Sequence, residues 1–188
     1  FVLHFGAADP RKNTRRLIEA WSLMGQRARR RWTLLVVGLD AASQAELLPY
    51  CDKLGVASSV VLHGFAPEAD IPPLLRAADA LAYPSRSEGF GLPLLEAFAA
   101  NTAVLTSNTT SLPEVAGDAA VLVDPEDPVS IAQGLRTLLG DGSLREELNL
   151  RGQMRLRCFS WEACAKRFAA AVEAAVKTHD RPTHAAAA

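Results

Sequence analysis

The feature that most constrains this sequence is a repeated alternation of short apolar runs with longer segments whose apolar residues recur at helical spacing. Short apolar runs bounded by turn residues are typical of buried strands. The predicted strands are 1–5, 33–37, 60–63, 80–83, 103–106 and 120–123. Because each crossover helix must bury its apolar stripe on the sheet, the alternation predicts an α/β fold. We expect a Rossmann-like parallel six-stranded sheet with helices on both faces.

The predicted helices carry local start and stop signals. Their ranges are 41–54, 92–99, 128–139, 144–157 and 160–177, and two more begin after Asn13 and Asp70. Asn13 and Asp70 are expected to cap their helices, and Pro72 lies near the start of the Asp70 helix. Pro49 should kink or break the helix over 41–54. The apolar face of the first helix carries Leu17, Ile18, Trp21 and Met24.

Length and composition fit one compact domain. The chain has 188 residues, of which 49% are hydrophobic and 22% are charged. We assign 1–177 to this domain and 178–188 to a flexible C-terminal tail. Because the chain opens at Phe1 rather than Met, inside an apolar stretch, we interpret it as a piece of a longer protein.

The charge balance argues against a nucleic-acid partner. The formal net charge is -1 at pH 7, whereas nucleic-acid-binding domains usually carry a strong basic excess. No apolar run approaches the roughly 20 residues that span a bilayer. One basic cluster precedes the second strand and should face away from the carboxyl ends of the sheet. We interpret it as an ordinary charged surface, ahead of a membrane or nucleic-acid contact. Its members are Arg27, Arg29, Arg30 and Arg31.

Three cysteines, Cys51, Cys158 and Cys164, have spacings that match neither a disulfide framework nor paired zinc ligands. A reducing compartment is the simplest interpretation, and we expect Cys158 and Cys164 to be buried thiols.

The last helix has an apolar face that we expect to pack partly in the core. Any part of this face that stays exposed would favour dimers. The residues at helical spacing on it are Trp161, Cys164, Phe168 and Val172.

The most informative stretch is 84–96, which leaves the fourth strand and enters a helix. In such sheets ligands bind outside the carboxyl ends of the strands. Gly89 and Gly91 let the backbone approach a ligand closely, and the helix start offers free N–H groups to an anion. Glu88 in the loop and Glu96 in the helix can face one crevice, where carboxylates accept hydrogen bonds from sugar hydroxyls. This arrangement suits a diphosphate with a ribose at one end and a hexose at the other.

The two glutamates and the seven residues between them, within Ser87 to Ala97, resemble the signature of retaining glycosyltransferases of family four. The resemblance covers nearly the whole chain and keeps both order and spacing. It implies the C-terminal, donor-binding half of a GT-B fold, with an N-terminal acceptor domain outside this chain. The further matching segments are Gly6 with Pro10-Arg11-Lys12-Asn13, His63-Gly64-Phe65, Ser111-Leu112-Pro113-Glu114-Val115 and Phe159-Ser160-Trp161.

The resemblance also implies roles for individual residues. Glu96 would bind the ribose hydroxyls and Glu88 the hydroxyls of the donor hexose. Lys12, with Arg11 beside it, would neutralise the leaving diphosphate. Many family members carry an arginine directly after the glycine of the first strand; this chain has Ala7 there, so either Arg11 substitutes or one phosphate contact is absent. The remaining donor-binding positions are Gly6, the backbone amides of Gly89, Phe90, Gly91 and Leu92, and a border to the base at Gly64 and Phe65.

We expect a site that uses neither a metal nor a cofactor, with a UDP-linked or GDP-linked sugar as donor. Many other glycosyltransferases hold a metal with an Asp-x-Asp motif, and the sequence contains none. Its nearest imitation, 124–126, is followed by Asp127-Pro128 and is better explained as a turn and a helix cap. Gly89 and Gly91 imitate a dinucleotide fingerprint without its third glycine, and they follow the fourth strand rather than the first. A nicotinamide dehydrogenase is therefore disfavoured.

Two histidines lie on predicted strands. His63, at a strand end, either contacts the base or is packed or solvent-facing. His4 is expected to be structural.

Taken with the resemblance, the sequence predicts a retaining hexosyltransferase that extends a glycan or glycolipid, a fragment that alone is inactive. We expect it in the cytoplasm, with membrane contact restricted to the periphery of the inner face, and its oligomeric state stays open. One alternative is a catalytically silent nucleotide-sugar-binding or interaction module. Another is a related GT-B phosphorylase or sugar-nucleotide epimerase.

Overall fold

Strands and helices alternate along the chain in the order that the hydrophobic pattern predicts. The structure, a computed structural model, describes residues 1–179. The strands are β1 (Val2–Phe5), β2 (Leu34–Val37), β3 (Val60–Leu62), β4 (Ala80–Tyr83), β5 (Ala103–Ser107) and β6 (Ala120–Val123). The helices are α1 (Thr14–Ser22), α2 (Gln26–Arg31), α3 (Ala41–Lys53), α4 (Ile71–Ala77), α5 (Leu92–Ala99), α6 (Leu112–Ala116), α7 (Pro128–Gly140), α8 (Gly142–Leu156) and α9 (Trp161–His179). The predicted strands are all present, and α2 and α6 fall outside the predicted helices.

All six strands are parallel and lie in the order β3-β2-β1-β4-β5-β6. β1 therefore pairs with β2 on one side, Val2 opposite Leu34, and with β4 on the other, Val2 opposite Ala80. This is the doubly wound order, in which the chain changes direction across the sheet between β1 and β4. The predicted six-stranded Rossmann-like sheet is confirmed, and its crevice opens where β1 and β4 end.

Helices cover both faces of the sheet and bury its apolar side chains. On one face the predicted stripe of α1 is buried together with the inner sides of α3 and α7. On the other face α4, α5 and α6 bury Leu75, Phe98 and Leu112 against the sheet. Parallel sheets are normally buried on both faces, which explains why the strands read as continuous apolar runs.

Of the two effects predicted for Pro49, a kink or a break of its helix, the break is wrong. α3 runs without interruption from Ala41 to Lys53 with Pro49 inside it. Pro49 is exposed while Leu47 and Cys51 face the core. Packing of that inner side keeps the helix together, and the carbonyl that loses its partner to proline lies where water reaches it.

The two predicted helix caps are also wrong. Asn13 precedes α1 in a left-handed conformation, with a φ of 62°, and its side chain makes no capping hydrogen bond. Its amide instead donates to the carbonyls of Pro84 and Pro125, at 2.9 and 2.8 Å. Asp70 makes no capping bond because the 3-10 turn Glu68–Asp70 leads directly into α4. Local propensity is overridden in both places by the path of the chain.

The last helix does not pack in the core as predicted. Trp161 and Phe168 are 83% and 71% exposed, and Val172 is also exposed. Cys158 and Cys164 are exposed rather than buried, whereas Cys51 is buried. Helical spacing reveals that a helix has an apolar face, but it does not reveal whether a neighbouring element covers that face.

α9 extends to His179, so the helix includes the first two residues of the predicted tail. The rest of that tail, 180–188, lies outside the described residues. None of the described helices is long and apolar enough to cross a bilayer.

Candidate functional site

The loops that follow β1 and β4 are tied together at the carboxyl edge of the sheet. After β1 the chain reaches the 3-10 turn Pro10–Lys12, and after β4 it forms the loop 84–91, here called the β4–α5 loop. The N–H of Arg86 donates to the carbonyl of Arg11 at 2.8 Å. Together with the Asn13 bond to Pro84, this contact fixes the turn against the β4–α5 loop and places Lys12 beside Glu88.

Lys12, Tyr83 and Glu88 form a closed triangle of hydrogen bonds. The Lys12 ammonium donates to the Tyr83 hydroxyl at 2.6 Å and to Glu88 Oε1 at 2.9 Å. The Tyr83 hydroxyl donates to the same Glu88 oxygen at 2.7 Å. Lys12 and Glu88 keep 26% and 16% of their side chains exposed, so a ligand in the crevice can reach both.

Burial and hydrogen bonding act in opposite directions on these groups. Burial favours a higher pKa for Glu88, but hydrogen bonds from Tyr83 and Lys12 outweigh it and hold the pKa below its ordinary value. Burial favours a lower pKa for Lys12, but bonds to Tyr83 and Glu88 raise it above the ordinary value. The pKa of Tyr83 is raised, chiefly by burial. At neutral pH the triangle therefore holds a cation, an anion and a neutral phenol.

The glycines of the β4–α5 loop bring backbone to the edge of this cluster. Gly91 has a φ of +105°, and a Cβ there would lie 2.7 Å from the Leu112 side chain. A Cβ on Gly89 would meet nothing within 4 Å, so its backbone borders open space. α5 begins at Leu92, and the N–H groups of a first helical turn have no intrahelical acceptor. Phe90 is 41% exposed and packs edge-on against Phe159 at 5.7 Å.

Hydroxyl groups around β5 and α6 hold the carbonyls of the β4–α5 loop. The bonds run from Thr106 to Tyr83 O (3.0 Å), from Ser107 to Ser85 O (2.6 Å), and from Ser111 to Glu88 O (2.9 Å) and Phe90 O (3.0 Å). Thr110 accepts from the N–H of Glu88 at 3.3 Å while holding a positive φ of 57°. The segment 111–115, to which the sequence assigned no role, thus braces the loop that presents Glu88.

Glu96 lies inside α5 and lines a neighbouring cavity of about 430 Å³. Burial and the negative charge of Glu68 raise the pKa of Glu96 above its ordinary value. The described contacts include none that joins Glu96 to Glu88. The other residues lining this cavity are Phe5, Glu68, Ile71, Pro72, Leu75, Arg76, Pro93, Ala99 and Ala100.

The structure separates the predicted basic pair. Lys12 bonds to Glu88, whereas the Arg11 guanidinium binds Asp9 in an exposed loop, with Nη2 and Oδ2 2.6 Å apart. A Cβ on Gly6 would lie 2.7 Å from Val36, so this glycine also permits close packing of β1 against β2. A diphosphate role for Arg11 stays a prediction.

The loop after β3 adjoins the end of β2. Gly64 accepts from the N–H of Gly38 at 2.9 Å, and Phe65 is 84% exposed. His63 is exposed rather than packed, and its contact with the base stays a prediction. His4 is buried and bonds to the Ala82 carbonyl at 2.9 Å and to Thr14 Oγ1 at 3.0 Å.

The segment 124–126 forms a turn, as interpreted from the sequence. The N–H of Glu126 donates to Asp124 at 2.8 Å, and Asp127 caps α7 by accepting from Val129 at 2.8 Å. Glu126 itself pairs with Arg86 and Arg16. Across residues 1–179 no group of three or more histidine, cysteine, aspartate or glutamate side chains is placed to hold a metal ion.

Tyr83 contacts both Lys12 and Glu88, and the sequence analysis did not identify it as a site residue. The available signal was a tyrosine at the end of an otherwise aliphatic strand, because a buried phenol needs a hydrogen-bond partner. Its position directly before the β4–α5 loop indicates where that partner lies.

Comparisons with known proteins concern the family and the fold. Residues 1–155 match the family model described as Glycosyl transferases group 1. O-antigen chain mannosyltransferase B of Escherichia coli is 38% identical over 164 residues, which are 87% of this chain and 43% of that protein. The chain thus spans less than half the length of this relative.

Solved structures of similar proteins have the same fold. The C-terminal domain of LpcC, a group 1 glycosyl transferase from Francisella tularensis, has a TM-score of 0.74 at 30% identity, covering 84% of each chain. HepE of Anabaena, solved with UDP and glucose, has a TM-score of 0.79 at 23% identity, covering 92% of this chain and 48% of that one. At that identity the second match supports the fold alone.

Proposed function

Because the chain belongs to the group 1 glycosyl transferases and has the fold of their C-terminal GT-B domain, we propose that it holds a nucleoside-diphosphate sugar for hexose transfer. The acceptor is a glycan or glycolipid, and transfer retains the anomeric configuration. One observation carries the proposal: the Lys12 cation contacts the Glu88 anion directly beside the glycine-lined start of α5, where β1 and β4 end.

Lys12 stabilises the departing diphosphate. As the bond between the sugar and the diphosphate breaks, negative charge builds on the diphosphate oxygens, and a fixed cation stabilises this charge more than it stabilises the bound donor. The raised pKa of Lys12 keeps its ammonium group charged. In this proposal the lysine and the amides at the start of α5 supply the neutralisation, without a metal ion.

The two glutamates bind opposite ends of the donor. Glu88 accepts hydrogen bonds from hexose hydroxyls, and its lowered pKa keeps it ionised for that task. Glu96, in the cavity between α4 and α5, accepts from the ribose hydroxyls. The base then lies toward Gly64 and Phe65, at the end of β3.

The names of the relatives support a choice of donor hexose. Mannosyltransferase B and the serotype-specific mannosyltransferase WbdA of Escherichia coli support mannose as the hexose. For the nucleoside diphosphate that carries the hexose we keep both UDP and GDP as candidates. The acceptor site and other catalytic groups lie on an N-terminal domain, so this chain alone binds the donor without turnover. We place the enzyme in the cytoplasm, with contact to the membrane only at its periphery.

Calorimetry tests donor binding directly. The 188-residue chain is titrated with UDP, GDP and ADP, and we expect heat of binding with at least one of them. Glu96→Ala should weaken binding of that nucleotide while leaving free pyrophosphate binding unchanged, because the ribose hydroxyls are absent from pyrophosphate. Absence of heat with all three nucleotides at millimolar concentration would refute donor binding, and equal losses for nucleotide and pyrophosphate would refute the ribose role alone.

Product analysis separates transfer from the related activities. The protein with its N-terminal domain is supplied with labelled nucleotide sugar and a glycan acceptor, and a lengthened acceptor is expected. Free sugar phosphate would identify a phosphorylase, an epimerised donor an epimerase, and unchanged donor a silent binding module.

A further inference from the structure

Tyr83 contacts both charged residues of the site but belongs to neither loop. We propose that Tyr83 is a positioning residue of the donor site, whose phenol holds the Lys12 ammonium and the Glu88 carboxylate as one unit. The diphosphate contact and the hexose contact then strengthen each other. This inference rests on the proposed function, because Lys12 and Glu88 take their ligand roles from it.

The phenol is fixed by the sheet rather than by the loops. Tyr83 is the last residue of β4, is 1% exposed, and pairs with Thr106 of β5. The Thr106 hydroxyl also donates to the Tyr83 carbonyl at 3.0 Å. The Tyr83 ring therefore has little freedom, and its hydroxyl is held in a fixed position at the carboxyl end of β4.

The directions of the hydrogen bonds suit the proposed roles of Lys12 and Glu88. The phenol oxygen accepts a hydrogen bond from Lys12, and the phenol O–H donates a hydrogen bond to Glu88. Because the two bonds form a chain, each polarises and strengthens the other. The bonds from Lys12 and Tyr83 fall on the same oxygen of Glu88, Oε1, which leaves acceptor capacity on the second oxygen for hexose hydroxyls. The Lys12 ammonium also lies 5.1 Å from the ring centroid and can gain from the ring face.

Fixing Lys12 in advance removes a cost of binding. Lysine has a long, flexible side chain, and ordering it when the donor arrives would weaken binding. If Lys12 shifts toward the diphosphate, the Tyr83 hydroxyl still donates its hydrogen bond to Glu88 and keeps the carboxylate oriented. We therefore expect the phenol to matter more for an intact nucleotide sugar than for a nucleoside diphosphate, which touches Lys12 but not Glu88.

The chain offers a matched control, because it has two tyrosines. Tyr50 lies in α3, where its ring packs 4.0 Å from the Arg15 guanidinium and away from the triangle. Tyr83→Phe and Tyr50→Phe each remove one hydroxyl and keep the ring. Dissociation constants of the 188-residue chain are measured for UDP, UDP-glucose, GDP and GDP-mannose.

For the sugar nucleotide that binds, we expect Tyr83→Phe to raise the dissociation constant about tenfold, and that of its nucleoside diphosphate about threefold. Tyr50→Phe should change neither by more than about twofold. A purely structural defect would weaken both ligands equally. In a ¹³C titration of the Glu88 carboxyl, assigned with Glu88→Gln, the pKa should rise in Tyr83→Phe and stay unchanged in Tyr50→Phe.

A second measurement leaves Tyr83 in place and so does not depend on the folding of the Tyr83→Phe variant. Biosynthetic 3-fluorotyrosine gives two ¹⁹F resonances, assigned with Tyr50→Phe, and we expect the Tyr83 resonance alone to shift as the sugar nucleotide saturates. If the wild-type chain binds none of the four ligands, the proposed function fails and this inference with it. If the wild type binds but Tyr83→Phe binds as tightly, or the Tyr83 resonance does not shift, this inference alone is overturned.

Discussion

The ammonium group of Lys12 is bonded to two oxygen atoms of the site, whereas the guanidinium of Arg11 is bonded to Asp9 in an exposed loop. The free-energy cost of moving each cation into contact with a bound diphosphate therefore differs. Lys12 is already aimed at the crevice, and Arg11 would have to leave a bidentate partner and order a mostly exposed side chain.

Substitution of the two cations distinguishes their roles. We expect Lys12→Met to weaken nucleoside diphosphate binding by roughly 2 to 3 kcal/mol, because it removes the partly buried positive charge that contacts Glu88. Arg11→Met should weaken nucleoside diphosphate binding much less than Lys12→Met does, as is usual for exposed charges. Calorimetry on both variants measures the difference. Equal losses would place Arg11 on the diphosphate beside Lys12.

At the scale of the elements, the β4–α5 loop is built from two glycines with different tasks. Gly91 carries the positive φ that turns the chain into α5, and its missing Cβ makes room for Leu112 of α6. Gly89 has neither constraint, so its missing side chain leaves space that a ligand can use. Gly91 is thus required by the fold, whereas Gly89 leaves open space beside the proposed site.

Alanine at each glycine should separate stability from binding. Gly91→Ala forces a left-handed backbone on a residue with a Cβ, and we expect it to lower the free energy of unfolding by about 1–2 kcal/mol. Gly89→Ala should leave the free energy of unfolding within about 0.5 kcal/mol of wild type but weaken nucleotide binding. Urea unfolding and calorimetry on both variants give the two readouts. A Gly89→Ala variant that binds normally would contradict a close backbone approach.

The sequence was sufficient for the strands and their parallel arrangement. Apolar runs and their alternation with helices report burial, and burial fixes the layers. α6 escaped prediction because it has five residues and a proline at its start, and α2 because its residues are mostly arginine. The cap role of Asn13 failed because its amide bonds to residues far away in sequence, a tertiary contact that no local pattern encodes.

For the site, motif and strand position predict Glu88, Glu96 and Lys12. Their roles in donor binding stay predictions, and the structure adds the direct contact between Lys12 and Glu88. The phenol of Tyr83 and the hydroxyls of Thr106 and Ser111 could not be assigned, because their partners are set by which strands lie side by side.

At the scale of the whole molecule, the site depends on contacts that join β1, β4 and α1. His4 makes two of these contacts from the centre of the sheet, to the Ala82 carbonyl on β4 and to Thr14 at the start of α1. Burial lowers the pKa of His4 from 6.5 to about 4, so the imidazole is neutral in the folded protein at neutral pH. Neutral imidazole can donate from Nδ1 to the carbonyl and accept at Nε2 from the threonine hydroxyl.

This buried histidine makes the stability of the fold depend on pH. Between pH 6.5 and about 4 the unfolded chain binds a proton at His4 and the folded chain does not, so stability falls as pH falls through that window. The loss is of the order of 3 kcal/mol at most, from about 1.4 kcal/mol per unit of pKa.

Urea unfolding between pH 7.5 and 4.5 should show this slope in the wild type and in His63→Gln, where an exposed histidine is changed. His4→Gln should be less stable at pH 7.5 but should lose most of the slope, because the group that takes up the proton on unfolding is gone. An unchanged slope in His4→Gln would mean that other groups carry the acid sensitivity and that His4 is not held neutral by burial.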